Sequence, residues 1–381
     1  MRAASVSDYR ELARRRLPNI FFEYIDGGSY AEATLARNVA DIEAIALRQR
    51  VMRDMSKLDM SIETLGQKLA MPIGLAPVGM AGMYAHRGEV QAARAAAEAG
   101  IPFCLSTVGV CSVEEVAQAG VAPWFQLYML KDRGYMKALI ERAKALGCPV
   151  LVFTVDLPVP GSRYRDVRSG FTGSSGLQGL LNTAWDGITH PAWTWDLFVH
   201  GRPHTLGSVA GAVSGSRRVT DFLSWIARNF DRSVTWADLD WVRETWDGPI
   251  VIKGVLDPAD ARDAVKAGAQ GLVVSNHGGR QLDGVRSSIA ALPAIADAVG
   301  SDLEVYMDGG VRSGLDVLKA LALGAKACFV GRAWAYALGA GGEAQVAKML
   351  GTLRAELAVA MILTGCSTVR EASRELLDRD A

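Results

Sequence analysis

The segment around His277 combines a proton acceptor with a group that binds carboxylates. His277 is followed by Gly278 and Gly279, and then by Arg280. A histidine exchanges a proton near neutral pH, and an arginine holds a carboxylate through two parallel hydrogen bonds. Because the glycines place no side chains between these groups, a small carboxylic acid can reach both. The pattern predicts His277 as a general base acting next to a carboxylate that Arg280 binds.

Asp156 and Lys253 stand at the ends of two other apolar runs. Asp156 is predicted to orient the His277 imidazole and to stabilise its protonated form; a helix cap or an ion pair is the alternative. Lys253 suits a Schiff-base nucleophile, a cation beside a cofactor or a structural ion pair, and the residues alone leave all three open. The other histidines lack the spacing of metal ligands, so we predict no metal site; they are His86, His190, His200 and His204.

Glycines and arginines recur after the last two apolar runs. Gly309 and Gly310 precede Arg312, and Gly331 precedes Arg332. In barrel enzymes, backbone N–H groups at such glycines bind phosphate, and a neighbouring arginine adds a charge-assisted hydrogen bond. Turn residues without a ligand are the alternative. We predict that this part of the chain binds a phosphate group.

These residues need a scaffold that brings the ends of distant segments together. Eight apolar runs recur, and most precede a segment with helical periodicity. Such alternation indicates an α/β fold with a parallel sheet, and eight units indicate closure into a (β/α)8 TIM barrel. An open doubly wound sheet is the alternative, but the near match to a dinucleotide-binding glycine motif at residues 339–344 follows a helical segment rather than a strand. The predicted strands are residues 71–75, 102–105, 124–127, 150–155, 250–253, 271–275, 304–307 and 327–330.

The spacing of these strands shows one long interruption. Successive strands start about 20 to 35 residues apart, except that about 100 residues separate the fourth from the fifth. We predict a single domain over residues 1–381, with an N-terminal helical segment, a barrel over about residues 66–350 and an insertion over about residues 157–235. The insertion contains eight Arg, five Asp and no Lys or Glu, a charge of +3. We expect it to be a lid or docking element on the active face; an insertion without function is the alternative.

The composition excludes several classes of protein. Half of the 381 residues are hydrophobic and 22% are charged, which excludes disordered, collagen-like and disulfide-scaffold chains. Lys plus Arg and Asp plus Glu each total 41, so we expect no nucleic-acid partner. The five separated cysteines predict buried thiols in a reducing compartment. We see neither a signal peptide nor an apolar stretch long enough to span a membrane, so any membrane contact is expected to be peripheral.

Three segments resemble motifs of the FMN-dependent L-2-hydroxyacid dehydrogenase and oxidase family. They are residues 275–283, 308–312 and 154–156. The likeness extends over essentially the whole chain, from residues 21–28 to the last barrel unit. Within the family, residues 76–80, 160–166 and 189–191 are most similar to the bacterial respiratory branch, which oxidises L-lactate and passes electrons to quinone.

The resemblance implies that FMN lies across the mouth of the barrel. Lys253 would stand beside the part of the flavin where negative charge grows on reduction. The backbone of Pro77, Val78 and Gly79 would run along the ring, which Ser106, Gln126, Thr154 and Ser275 would contact through polar side chains. The ribityl and phosphate end would be held by Asp308, Gly309, Gly310, Arg312, Gly331 and Arg332.

The resemblance also implies a substrate site for an L-2-hydroxy acid. Arg163 and Arg280 would clamp the carboxylate, while Tyr24 and Tyr128 would bond the carboxylate or the hydroxyl. His277 would take a proton, with Asp156 stabilising the imidazolium, and the product would be a 2-oxo acid. Removal of the proton from carbon first and removal from oxygen first both remain open.

The electron acceptor implied by the respiratory branch is a quinone. A soluble oxidase that passes electrons to oxygen and makes hydrogen peroxide is the alternative, and a phosphate-binding barrel without catalysis is the alternative outside enzymes. Seven of the nine Trp lie between Trp185 and Trp246, and such aromatic composition beside Arg suits a membrane interface. Packing of these aromatics on the barrel is the other interpretation. We expect peripheral contact with the cytoplasmic face of the inner membrane, and the family implies a homo-oligomer.

Overall fold

The computed structural model describes residues 2–171, 185, 187–202, 205–212 and 228–378. Part of the predicted insertion, including His204 and Trp225, therefore lies outside the described residues. Eight parallel strands form the predicted barrel: from the second to the eighth, consecutive strands pair side by side, and the eighth pairs with the first. A bridge between Leu75 and Phe103 joins the first barrel strand to the chain that enters the second. The fold prediction is confirmed, and every predicted apolar run contributes a strand.

Within the described residues, the strands form a hairpin and the barrel. The hairpin is β1 (Ile62–Thr64) and β2 (Gln67–Leu69). The barrel strands are β3 (Ile73–Leu75), β4 (Cys104–Ser106), β5 (Trp124–Leu127), β6 (Leu151–Thr154), β7 (Ile250–Val255), β8 (Gly271–Val274), β9 (Glu304–Asp308) and β10 (Ala327–Val330).

Helices precede the barrel, cover it and follow it. The N-terminal helices are α1 (Val6–Arg16), α2 (Asn19–Asp26) and α3 (Ala33–Glu43). Between the strands lie α4 (Gly88–Glu98), α5 (Val113–Gln118), α6 (Arg133–Ala145), α7 (Tyr164–Arg168), α8 (Pro191–Trp195), α9 (Asp238–Thr245), α10 (Pro258–Lys266), α11 (Ser288–Val299) and α12 (Gly314–Ala322). After the last strand come α13 (Arg332–Gly341) and α14 (Glu343–Thr364).

Capping residues in the sequence fix where several barrel helices begin. Ser112 accepts a hydrogen bond from the backbone N–H of Glu115, whose carboxylate accepts one from the N–H of Ser112. Ser313 precedes α12 with the same capping box. These reciprocal bonds satisfy backbone donors that a helix start otherwise leaves free. They fix the start of α5 at Val113 and that of α12 at Gly314.

The hairpin closes the amino-terminal end of the barrel. The Thr64 hydroxyl lies 2.5 Å from that of Tyr306, which donates to Glu304 at 2.7 Å. Trp124 donates from its indole nitrogen to the Gln67 side chain at 3.2 Å. Polar groups of the hairpin thus bond to residues of the barrel strands where it caps an apolar interior, although Gln67 Nε2 is buried without a hydrogen-bond partner among the described residues. The opposite end of the barrel remains available for a ligand.

The N-terminal helices pack on the last barrel unit and are tied to it by a buried carboxylate. Asp26 accepts hydrogen bonds from Arg10 at 2.5 Å, from Tyr336 at 2.7 Å and from Arg165 at 2.7 Å. Burial opposes ionisation of Asp26, but the bonds from Arg10 and Tyr336 hold its pKa below the usual value. This cluster fixes α2 beside the barrel mouth.

The described part of the insertion packs on the barrel through some aromatics and exposes others. The indole N–H of Trp193 donates to the carbonyl of Met83, and its ring lies 5.4 Å from that of Phe21. Trp195 is 68% exposed. Packing on the barrel therefore applies to Trp193, whereas Trp195 remains available for a membrane interface. Among the described residues, no helix has the length and apolar character needed to span a membrane.

The contact between α12 and α14 depends on a glycine, which gives a stability prediction. A Cβ atom at Gly314 would overlap backbone atoms of Leu353 and Leu357, whereas one at Gly351, on the same α14, would meet nothing within 4 Å. Gly314→Ala should destabilise the fold by about 1–3 kcal/mol through overpacking. Gly351→Ala should stabilise it by about 0.5–1 kcal/mol through lower backbone entropy of the unfolded chain. Thermal denaturation measures both; equal melting of the two variants would contradict the close packing.

Candidate active site

A cavity of about 410 Å³ lies at the carboxyl ends of the barrel strands. Loops after the strands, together with α2 and α7, form its wall. This arrangement brings together residues from most of the chain length, as expected for a barrel site. Of the predicted site residues, the lining contains Tyr24, Pro77, Val78, Gly79, Tyr128, Arg163, Lys253, His277, Arg280, Asp308, Gly309, Gly310, Arg312, Gly331 and Arg332.

His277 and Asp156 form a partly buried pair at the edge of the cavity. The distance between His277 Nδ1 and Asp156 Oδ1 is 3.0 Å. The backbone N–H of His277 donates to Ser275 Oγ at 3.0 Å, and the residue has a left-handed φ of 57°. With Nδ1 facing a carboxylate, Nε2 is the nitrogen left to accept a proton. The structure thus brings these two residues together.

Gly254, which is not among the predicted site residues, makes room for this pair. Its φ is +111°, and a Cβ atom there would lie 2.5 Å from Cβ and Cγ of Asp156. The pairing of β7 with β8 shifts register between Lys253 and Val255. A glycine inside a strand, directly after a functional lysine, is the sequence signal of such a bulge and close approach.

Burial and nearby charges shift the pKa of His277 in opposite directions. Burial lowers the pKa of the imidazole most, the Asp156 carboxylate raises it, and the cations of Lys253 and Arg163 lower it further. The net result is a pKa below the ordinary value. His277 is therefore neutral near neutral pH and able to accept a proton, and Asp156 favours the charged product of that step.

Two arginines face the same aromatic ring on α2. The guanidinium carbon of Arg280 lies 4.8 Å from the ring centre of Tyr24, and that of Arg163 lies 5.8 Å from it. Arg280 Nη1 donates to the carbonyls of Tyr24 and Gly27. Burial and the neighbouring Arg280 lower the pKa of Arg163. Two partly buried cations over one ring favour an anion between them, and a carboxylate suits their planar donors.

Lys253 lies deep in the cavity wall, in a polar cluster. Its ammonium group lies 3.0 Å from Asp308 Oδ2 and donates to Ser275 Oγ at 3.0 Å. Burial opposes the charge on Lys253, but the carboxylates of Asp308 and Asp156 raise its pKa. Asp308 Oδ1 is buried and has no hydrogen-bond partner among the described residues. The lysine is thus held as a cation beside an acceptor that a ligand hydroxyl can satisfy.

The glycine and arginine region forms another part of the wall. Gly309 and Gly310 have φ of 91° and 90°. Arg332 donates to the carbonyls of Ile25, Gly27 and Gly278, so it also ties α2 to the His277 turn. Neutral carbonyls do not neutralise its charge, and burial lowers its pKa to about 9. Arg312 stands in the same lining, which makes this region electropositive.

Some predicted flavin contacts lie behind the lining and bond to one another. Gln126 Oε1 accepts from Ser106 Oγ at 3.2 Å, and Gln126 Nε2 donates to Thr154 Oγ1 at 3.0 Å. Ser275 is also behind the lining, against Lys253. These hydrogen-bonded side chains form a row across the ends of β4, β5 and β6. It fixes the amide orientation of Gln126.

The lining also contains side chains that the sequence analysis did not single out. Asp166 on α7 is buried, its carboxylate lies 3.6 Å from Arg163, and its Oδ1 has no hydrogen-bond partner among the described residues. Burial raises the pKa of Asp166 although Arg163 lowers it. Phe171 packs 4.7 Å from the Tyr24 ring, and Phe230 packs 5.5 Å from that of Tyr128. Their positions depend on the insertion, whose path no local pattern indicates.

A comparison with family models and curated proteins identifies relatives over the whole chain. A model described as FMN-dependent dehydrogenase matches residues 13–379. An L-lactate dehydrogenase of Ectopseudomonas mendocina is 56% identical over 375 residues, which are 98% of each chain. An L-lactate dehydrogenase of Haemophilus influenzae is 58% identical over 375 residues, again 98% of each chain.

Solved structures share the same fold. The crystal structure of the monotopic membrane protein (S)-mandelate dehydrogenase has a TM-score of 0.92 and 33% identity, covering 99% of this chain and 100% of that one. A mandelate oxidase structure has a TM-score of 0.84 and 39% identity, covering 99% and 98%. The covered part of this chain includes both the barrel and the N-terminal helices.

The His277 and Asp156 pair gives a prediction about titration. Asp156→Asn removes the charge that raises the pKa of His277, so this pKa should fall further below its ordinary value. Asp166→Asn, across the same cavity, is the matched control and should change it less. NMR titration of the imidazole, assigned with His277→Gln, measures the effect. An unchanged pKa in Asp156→Asn would show that the carboxylate does not stabilise the imidazolium.

Proposed function

The chain belongs to the FMN-dependent dehydrogenase family and uses FMN as its cofactor, and from this premise we propose that it oxidises L-lactate to pyruvate. The observation that carries the proposal is one cavity holding a neutral histidine paired with a carboxylate and two arginines over an aromatic ring. This set fits a 2-hydroxy acid, because the arginines suit its carboxylate and the histidine suits its adjacent hydroxyl carbon.

The residues present fit FMN. The cavity has cationic groups in two regions, Lys253 in one and Arg312 with Arg332 in the other, and the unpartnered Asp308 Oδ1 can accept from a ribityl hydroxyl. When bound, FMN would accept the two electrons and the second proton that leave the substrate. We assign the flavin contacts to Pro77, Val78, Gly79, Ser106, Gln126, Thr154, Lys253 and Ser275, and the ribityl and phosphate contacts to Asp308, Gly309, Gly310, Arg312, Gly331 and Arg332.

The chain's own residues bind the substrate and move a proton. Arg163 and Arg280 hold the carboxylate, with the Tyr24 and Tyr128 hydroxyls as further donors. Oxidation removes two electrons and two protons from the hydroxyl and its carbon. His277 Nε2 accepts one of these protons, and Asp156 stabilises the imidazolium that results. Lys253 keeps a positive charge beside the cofactor, where negative charge increases during the reaction.

The identity of the substrate rests on the relatives. Curated proteins named L-lactate dehydrogenase share 56–58% identity with this chain over 97–99% of its length. The mandelate enzymes share 33–39%. The higher identity favours L-lactate over an aromatic 2-hydroxy acid.

We extend the proposal to a respiratory quinone as electron acceptor and to peripheral contact with the inner membrane. In α8 and the π-helical turn Asp196–His200, Trp193 and Leu197 face inward and are buried, whereas Trp195, Phe198 and Val199 are exposed. Apolar side chains on both faces of one segment suit insertion of the outer face into a bilayer surface. The mandelate dehydrogenase relative is a monotopic membrane protein. Self-association is a further part of the proposal, taken from the family.

Anaerobic mixing with L-lactate tests the reaction. The native chain should bleach the absorbance of its oxidised flavin, faster with L-lactate than with (S)-mandelate. His277→Gln should keep FMN but bleach about 10²–10⁴-fold more slowly, because the proton acceptor is lost. His86→Gln, outside the cavity, is the control and should behave like the native chain. Rapid bleaching by His277→Gln refutes the base assignment, and a native chain indifferent to L-lactate refutes the function.

The same reduced sample distinguishes the acceptors. A soluble ubiquinone analogue should reoxidise the flavin faster than air-saturated buffer does. Faster reoxidation by air, with hydrogen peroxide formed, would favour the soluble oxidase instead.

Vesicle sedimentation tests the membrane contact. Trp195→Ser with Phe198→Ser should reduce cosedimentation with phosphatidylglycerol vesicles severalfold, because exposed aromatic area is lost. Reduction of the flavin by L-lactate should persist. The control pair is Val51→Ser with Met52→Ser, which removes exposed apolar side chains elsewhere. Cosedimentation of the first pair at the native level argues against this docking surface.

A further inference from the structure

The loop that follows β8 is tied to the N-terminal segment along its length. Near its start, both the N–H and the hydroxyl of Ser29 donate to the carbonyl of Gly279. Asp283 accepts from the backbone N–H groups of Ala33 and Thr34 at the beginning of α3. Towards its end, Arg37 donates to the carbonyl of Val285, and Ser287 donates to Asp41 at 2.5 Å. The loop that carries His277 is thus folded against residues some 250 positions earlier in the chain.

A reciprocal amide pair lies at the centre of this contact. Asn38 Nδ2 donates to Asn276 Oδ1 at 2.8 Å, and Asn276 Nδ2 donates to Asn38 Oδ1 at 2.7 Å. Asn276 Oδ1 also accepts from the N–H of Gly279 at 3.0 Å, and Asn38 Oδ1 accepts from the N–H of Ser288 at 3.2 Å. Both side chains are buried. A buried amide network in which each group has its partners is rigid and specific.

The pair encloses a backbone turn that is costly to form. His277, Gly278 and Gly279 have φ of 57°, 64° and 72°, so three consecutive residues are left-handed. Glycine adopts this conformation readily, but His277 does so against its intrinsic preference. Across the turn, the side-chain oxygen of Asn276 accepts a hydrogen bond from the N–H of Gly279. The turn therefore depends on the orientation of the Asn276 amide, which Asn38 fixes.

We propose that Asn38 is a positioning residue for the reaction, because its amide pair with Asn276 fixes the turn that directs the His277 imidazole towards Asp156 and the cavity. This inference rests on the proposed function, in which His277 is the base. Asn38 is not part of the cavity lining. Asn38 therefore acts on the reaction through the turn. The packing of α3 against the loop and the orientation of the His277 base are coupled.

The same residue lies against the glycine pair. A Cβ atom at Gly310 would overlap the backbone carbonyl of Asn38, and one at Gly309 would lie 3.4 Å from Asn38 Nδ2. Arg280, by contrast, is held separately by the carbonyls of Tyr24 and Gly27. Loss of the Asn38 amide should therefore impair the base more than the carboxylate clamp.

Asn38→Ala in the FMN-loaded protein tests the proposal. Flavin reduction by L-lactate should slow about 10–100-fold, since small displacements of a reacting group have effects of this size. The dissociation constant for L-lactate should change less than about threefold, because Arg280 keeps its own anchors. Hydrogen exchange of the amides in residues 276–279 should accelerate, and the acid limb of the pH profile should move to lower pH as His277 loses Asp156. The cations of Lys253 and Arg163, which lower the pKa of His277, remain in place in this variant.

Thr34→Val is the matched control. Thr34 lies on the same helix and accepts a hydrogen bond from the N–H of Gly284, at the far side of the same loop. The variant is nearly isosteric and should reduce the flavin within about threefold of the native rate. Native-like reduction in Asn38→Ala, or equal slowing in Thr34→Val, overturns the proposal. A His277→Gln variant is measured alongside. If it reduces the flavin at the native rate, the proposed function itself fails; if it is slow while Asn38→Ala is native-like, only the role of Asn38 fails.

Asn38→Asp keeps the proposal testable if the alanine variant does not fold. The carboxyl group that this substitution introduces can, when protonated, donate to Asn276 Oδ1 as the amide does, whereas its ionised form only accepts. The rate of flavin reduction in this variant, as a fraction of the native rate, should rise as the pH is lowered. A fraction that does not change with pH overturns the proposal.

Discussion

The left-handed turn at His277, Gly278 and Gly279 is the constraint on which the rest of the site depends. It presents the imidazole to Asp156, offers the Gly278 carbonyl to Arg332, and sends the chain on to Arg280 over the Tyr24 ring. A strand end supplies the chemistry, but an isolated strand end would not hold three consecutive positive φ angles. The N-terminal helices supply that restraint, which gives a physical reason for their position beside the barrel mouth.

Cationic side chains outnumber carboxylates in the cavity lining, which favours an anionic ligand. Arg163 and Arg280 lie over one ring, Lys253 pairs with Asp308, and Arg332 is surrounded by neutral carbonyls. Burial lowers the pKa values of His277 and Arg163 in this setting. A neutral base among cations that attract an acid anion is the arrangement that oxidation of a 2-hydroxy acid requires.

Much of this organisation is predictable from the sequence, because barrel strands are continuous apolar runs and site residues follow them directly. The pairing of His277 with Asp156 followed from the residue types at two strand ends. The Asn38 and Asn276 pair spans 238 positions and carries no local pattern. Gly254 matters only through the packing of Asp156 against a bulge. Asp166 becomes a buried cavity residue through the path of the insertion. Such features arise from tertiary contacts, which periodicity and spacing do not encode.

A crystal structure of the FMN-loaded chain with bound pyruvate tests the central claim most directly. The account predicts the carboxylate between Arg163 and Arg280, the 2-oxo oxygen within hydrogen-bond distance of His277 Nε2, and the Asn38 and Asn276 amides still paired behind the turn. Pyruvate bound with its carboxylate away from both arginines, or with its 2-oxo oxygen out of reach of His277, would contradict it.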